Sequence, residues 1–168
     1  ERGSTFGMLY TGREGDTYSN RLGGADTLIR LSDSDSIRAQ RLVSRTQYPT
    51  AVARDFSQSA SAFTGAAYSA GYSHETRNWA WELTHQGYSP GFRADAGFVS
   101  QVGVRNTQIA LERAVWGSPK RWFNQLSFGA SADRSEDWKG RNVSWGCDFP
   151  VEYSGRWQMS VSYNPACN

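Results

Sequence analysis

The feature that most limits what this chain can fold into is a period of two. Apolar and polar side chains alternate along nine stretches, at about 4–11, 18–31, 36–47, 59–73, 78–86, 105–116, 122–133, 141–153 and 157–164. Successive side chains of a strand point to opposite faces, so such a chain builds a sheet with two unlike surfaces. In "RWQMSVSYN", Arg156 to Asn164, Trp157, Met159, Val161 and Tyr163 fall on one side and Gln158, Ser160, Ser162 and Asn164 on the other. The apolar side can look inward to a soluble core or outward to lipid, and nine residues fit both.

Connection lengths favour lipid. The segments between strands read "GREGDT", "SDSD", "YPTAVARDFSQ", "HETR", the long Gly87–Val104, "GSPKR", "RSEDWKG" and "SGR", longer and shorter by turns. In a meander this gathers the short turns at one end and the long loops at the other, the asymmetry of outer-membrane barrels. Aromatics give a second test, because barrel walls carry Trp and Tyr girdles at the lipid–water interface. Trp79, Trp122 and Trp157 each open a strand after a short turn, on the apolar parity, and are expected to form one interfacial belt.

The opposite parity is small and polar, and lysine is nearly absent from it, unlike an ordinary solvent face. Asp26, Arg30, Arg38, Gln40, Glu82, Gln86, Gln108, Glu112, Asn142 and Asp148 are the candidate lumen-facing residues and possible ligand contacts, with carboxylates paired to arginines such as Arg30 and Arg38. Arg41 and Arg113 oppose this assignment, since both share the apolar parity, where an arginine at the bilayer midplane costs about 2–4 kcal/mol.

Composition excludes other classes. Eighteen Lys and Arg against sixteen Asp and Glu leave a formal charge of +2, too balanced for a nucleic-acid footprint. The mean hydropathy of −0.63 goes with the lack of any apolar run long enough for a spanning helix, while a strand-built wall, lipid-facing only at every second residue, can be this hydrophilic. Cys147 and Cys167 are too few for a disulfide framework and have no metal-ligand spacing; whether they pair stays open. No metal or cofactor is expected.

Chemistry is thin as well. His74 or His85 could serve a Ser–His–Asp esterase, but no G-x-S-x-G elbow occurs, and His85 has the apolar parity of Trp81 and Leu83. Glu82, Glu112 and Asp148 could supply a glycosidase pair, yet lumen carboxylates serve equally as partners for lumen arginines. The expectation is a non-catalytic protein.

The segment "YSPGFRADAGFVSQVGVR", Tyr88 to Arg105, breaks the alternation with a Pro-Gly turn, two aromatics and a Gly-Phe step. With "GMLYTGRE" at Gly7–Glu14 and "NRLGGADTLIRL" at Asn20–Leu31, it resembles an uncharacterised β-barrel region at the C-terminal end of bacterial proteins that begin with a family-nine-type carbohydrate-binding domain. The resemblance runs over most of the 168 residues and implies a bacterial outer-membrane barrel whose parent passes or captures an envelope ligand, with a saccharide as the natural class.

The expectation is therefore an all-β antiparallel up-and-down meander of about nine strands, residues 1–168 as one domain, forming part of a transmembrane β-barrel. An odd strand count and the ending "NPACN" make it read as a fragment, with outer-membrane lipid and the rest of the parent barrel as its partners. A soluble carbohydrate-binding β-sandwich or small barrel and a barrel-embedded hydrolase are the alternatives.

Overall fold

The computed structural model describes residues 3–97, 99–118 and 120–167, with the side chain of Gln158 outside the description. It is an all-β antiparallel meander arranged as one open sheet. Its long strands are β1 (Thr5–Gly15), β2 (Tyr18–Arg30), β3 (Asp35–Gln47), β4 (Phe63–Glu75), β5 (Trp79–Tyr88), β6 (Val104–Trp116) and β7 (Phe123–Asp137), each paired antiparallel to the next. Shorter strands follow: β8 (Asn142–Asp148), β9 (Val151–Gly155), β10 (Ser160–Tyr163) and β11 (Ala166–Cys167).

The last four are two strands, each broken once. β8 pairs with the second half of β7 and β9 with its first half, so both lie along one neighbour on either side of Phe149 and Pro150. In the same way β10 pairs with β9 and β11 with β8 on either side of Asn164 and Pro165. Each break falls at a proline, which has no N–H to give to a ladder. Counted by position in the wall there are nine strands, in the order the alternation predicts. The path ends on β1 at one edge and on β10 and β11 at the other, and the outer edge of β1 pairs with no strand among the described residues.

Several local expectations change. The first connection is a hairpin of Asp16 and Thr17, because β1 runs on to Gly15, and it is no longer than its successor at 31–34. Strict length alternation therefore fails there; the two long connections, 48–62 and 89–103, do share one end of the sheet with that hairpin. Connection 48–62 holds a short helix, α1 (Thr50–Asp55), too brief to leave a helical period in the sequence. Arg156–Gln158 is a 3-10 turn rather than the start of a strand, with Trp157 in the left-handed region at φ 58°, so within "RWQMSVSYN" only Val161 and Tyr163 alternate as strand residues.

The register sorts the side chains onto two faces. One, the polar face, receives the even-numbered residues of β2, β3, β5, β6, β8 and β9 and the odd-numbered ones of β1, β4 and β7. The other, the apolar face, is large-chained and open: Met8 is 81% exposed, Phe6 and Tyr10 70%, and Leu83, Ile109, Leu111, Phe128, Trp145 and Val161 are all exposed. Buried apolar side chains among the described residues come down to Leu22, Ala53, Ala67, Phe92 and Phe123. The sheet is held by its ladders rather than by a core.

Candidate functional site: the polar face and its strap

The polar face carries most of the expected site set. Asp26 lies opposite Gln40, Arg30 opposite Ser36 and Arg38 opposite Leu28 across β2 and β3. Gln86 faces Ser69, and Glu82 faces Ser73 across β4 and β5. Gln108 faces Thr84 and Asp133, Glu112 faces Ala80 and Gly129, and Asp148 faces Ser131. Asn142 is the exception. It pairs with Glu136 across the register shift that follows Ser135, where the ladder no longer fixes a face.

The expected pairing of the carboxylates with Arg30 and Arg38 does not occur. None of the ion pairs among the described residues joins either arginine to a carboxylate of this face. For Glu82 the reason is spacing: β4, which presents Gly71, Ser73 and Ser69 here, separates it from Arg38 by two strand intervals, roughly 10 Å. Instead Glu75, Glu82, Glu112 and Glu152 surround a cleft of about 370 Å³ floored by Ser73, Ala110, Gly129 and Ser131. Glu82 and Glu112 are diagonal neighbours on adjacent strands, and Thr84 donates to Glu82 Oε1 at 3.3 Å.

At the other end of the face, the described residues between Ser89 and Gly103 form a strap laid over β2, β3 and β4. Phe92, 1% exposed, is its anchor, packed against Leu22 and Ala67 with Leu42, Tyr88 and Val99 around it. Its backbone lies so close to β4 that a Cβ on Gly65 would stand 2.1 Å from Phe92 N, so this position admits glycine alone. Ser89 fixes the strap's start by exchanging bonds with Ala66, its hydroxyl accepting from Ala66 N at 2.8 Å and its N–H donating to Ala66 O at 2.9 Å.

Buried polar groups do the rest. Asn20 is 1% exposed; its Nδ2 donates to Thr46 Oγ1 at 2.8 Å and to Arg93 O at 3.2 Å, and its Oδ1 accepts from Asp95 N at 3.1 Å. Ser44 Oγ, fully buried, accepts from Arg93 N at 3.0 Å. Asp95 then accepts from Tyr18 at 2.6 Å and from Tyr48 at 3.2 Å, while Arg93 donates to Gln58 Oε1 at 2.7 Å and lies over the Phe63 ring. Burial, reinforced by the neighbouring Asp95 carboxylate, raises the Tyr48 phenol above its ordinary range and keeps it a donor. Sequence reading singled out this segment for its composition, but docking to Asn20, Ser44 and Thr46 leaves no local signal, because its partners are distant in sequence.

Both histidines lie on the apolar face. His85 is bonded at both ring nitrogens, to Tyr68 at 3.0 Å and Thr107 at 2.8 Å, and Tyr68 in turn covers Gly87. His74 stacks on Trp81 with ring centres 3.8 Å apart and donates from Nδ1 to Asp35 at 2.7 Å, where Tyr72 and Ser32 also donate. These are interstrand ties.

The three tryptophans gather at the short-turn end in different ways. Trp79 opens β5 on the apolar face with the Arg113 guanidinium 4.5 Å from its ring centre. Trp122 sits in the turn before β7, stacked on Tyr153 at 5.2 Å, and Trp157, in its 3-10 turn, is 98% exposed. Arg41 stays on the apolar face in the middle of β3, between Ala25 and Tyr68, with no bulge to turn it.

The expected open question about the cysteines is answered: Cys147 and Cys167 form a disulfide across β8 and β11, where they are ladder partners. Groups of three or more His, Cys, Asp or Glu able to hold a metal do not occur among the described residues. Comparison with protein-family models, with curated proteins and with solved structures finds no match to this chain.

Proposed function

We propose that the chain is a wall segment of a bacterial outer-membrane β-barrel, non-catalytic, with its apolar face against lipid and its polar face toward a lumen, in a parent protein that passes or captures an envelope ligand. The observation that carries this is the inverted distribution of side chains: an apolar, aromatic-rich face left exposed while the polar face holds the few buried groups. Water-soluble monomers rarely expose apolar patches beyond a few hundred Å². A strand wall in lipid needs no core, because pairing of backbone groups along the ladders replaces it. The described helices are too short and polar to span a bilayer, which leaves a strand-built crossing unaffected.

Two further observations fit. The disulfide belongs to an oxidising compartment, as a cell envelope is. Arg113 lies at a strand end against Trp79, where an arginine can reach the interface. The open edge of β1 calls for further wall, and the resemblance noted above suggests a saccharide as the ligand class.

Solubility tests the reading. The purified protein should need detergent or lipid to stay folded and monodisperse; a folded, monodisperse chain in plain buffer overturns it in favour of a soluble carbohydrate-binding sheet. Arg41→Leu adds a sharper measurement, since removing a midplane arginine from a lipid-facing wall should stabilise the protein in bilayers by about 2–4 kcal/mol. On a water-exposed face the same change would be nearly neutral.

A further inference from the structure

Arginines are unwelcome on a lipid-facing wall, and on the apolar face of this sheet they gather at one end. Arg21, Arg45, Arg105 and Arg134 each stand within four residues of the long-loop end of their strand. At the short-turn end the same face presents, among the described residues, one strand arginine, Arg113, and it lies over Trp79. The stagger of the strands turns the four into a band. The ladder row that crosses the middle of β3 at Arg41 runs through Tyr68 and Gly87 and meets Arg105 at the start of β6. Arg45 lies about 13 Å along β3 from Arg41, and β6 lies about 14 Å across the sheet from β3, a slant that matches the tilt of roughly 35–45° of strands in a barrel wall. Measured across a tilted wall, Arg45 and Arg105 therefore stand at one level.

Two of the four are matched by carboxylates: Arg21 Nε donates to Glu14 Oε1 at 2.6 Å and Arg134 Nη2 to Glu136 Oε1 at 2.7 Å. Arg45 has no carboxylate partner among the described residues and stands directly opposite Arg21, an unfavourable like-charge pair. Arg105 has Glu136 as its ladder partner, but that carboxylate is bonded to Arg134. Its Nη2 donates to Trp138 O, its guanidinium lies 5.1 Å from the Trp138 ring centre, and its Nε is buried without an acceptor. An independent feature accompanies these cations. Exposed apolar side chains adjoin them on the same face: Val43 below Arg45, Ile109 below Arg105, and Trp145 directly opposite Arg134.

We infer that this band binds phosphate-bearing lipid headgroups: Arg45 and Arg105, with Arg21 and Arg134 beside them, hold the phosphates of an anionic leaflet, and the acyl chains lie against Val43, Ile109 and Trp145. The inference rests on the barrel reading above and adds to it the direction of insertion, with the long loops on the anionic side. A guanidinium presents a planar fork of donors that fits a phosphate. At a lipid interface an unmatched cation is costly, and a headgroup phosphate supplies both the counter-charge and the acceptors that Arg45 and Arg105 lack within the wall. The adjoining apolar side chains select a lipid over a free anion, because a phosphate alone would leave them uncovered.

The test is a titration of the full-length protein in non-ionic detergent micelles with phosphatidic acid or phosphatidylcholine, bound lipid being counted by native mass spectrometry. Phosphatidic acid should bind more tightly by on the order of twentyfold, from about fivefold for each of the two unmatched arginines. Arg45→Gln, at an exposed position, should lose about fivefold of that preference. Arg45→Gln combined with Arg105→Gln should bring the two lipids to parity, and Arg113→Gln at the other end should leave the ratio unchanged. Equal binding of the two lipids by the unaltered protein, or a preference that survives the double variant, overturns the inference and leaves the barrel reading intact. Displacement of phosphatidic acid by millimolar inorganic phosphate overturns the choice of a lipid, since the band would then be a free-phosphate site. A chain that is folded and monodisperse in plain buffer and takes up neither lipid overturns both readings.

Discussion

The two ends of the meander are stabilised by different physics. From β2 to β5 the strands are long and in register, the strap roofs β2 to β4, and there lie the fully buried side chains Phe92, Asn20, Ser44 and Thr46. From β8 to β11 the strands are short and broken at Pro150 and Pro165, their side chains are mostly exposed, and a disulfide holds the final two-residue strand. A sheet without a core gains tertiary stability only where something lies across it; elsewhere a covalent bond takes that part.

The largest expected effect falls on the strap. Phe92→Ala should destabilise the protein by about 3–5 kcal/mol, as loss of a buried aromatic does, and should free residues 89–103 to protease while β8 to β11 keep their protection. Equal loss of protection at both ends would break the comparison by making the sheet one cooperative unit. Reducing the Cys147–Cys167 bond, with a sequence separation of 20, should cost about 3 kcal/mol on chain-entropy grounds. Hydrogen exchange should then rise at β8 and β11 and leave the strap unchanged.

Asn20→Ala is smaller, about 1–3 kcal/mol, since it strands Arg93 O, Asp95 N and Thr46 Oγ1 in a buried site. Thermal unfolding of the strap half would register it, and a shift near zero would mean that Phe92 alone holds the strap. Trp122→Ala should cost least, about 0.5–1.5 kcal/mol from the lost stacking on Tyr153, visible as faster exchange in β9 and nowhere in β2 to β5.

These contrasts were unevenly legible in the sequence. The long strands fall within a few residues of where alternation predicts them, and the parity of Asp26, Arg38, Glu82, Glu112 and Asp148 is the parity their ladders give them. Alternation failed where the ladder does: at Pro150 and Pro165, at the 3-10 turn of Arg156–Gln158, and at Asn142 beside a register shift. In each case one backbone group leaves the ladder, and a two-residue period has no means of marking that. Trp122 and Trp157, strand openers by alternation, lie in turns for the same reason.

What the sequence determined by itself is therefore everything periodic: an antiparallel meander, nine positions in the wall, and two faces of opposite character, since side-chain direction along a strand is a local property. The tertiary structure decided what depends on which strands are neighbours. Register brought Glu82, Glu112 and Glu152 around one cleft and kept Arg30 and Arg38 out of reach, though composition alone sums all these charges to near zero. It also set Cys147 opposite Cys167 and laid Phe92 over Gly65, contacts across 20 and 27 residues respectively, because cross-strand and strap contacts are fixed by pairing geometry and close approach rather than by any pattern along the chain.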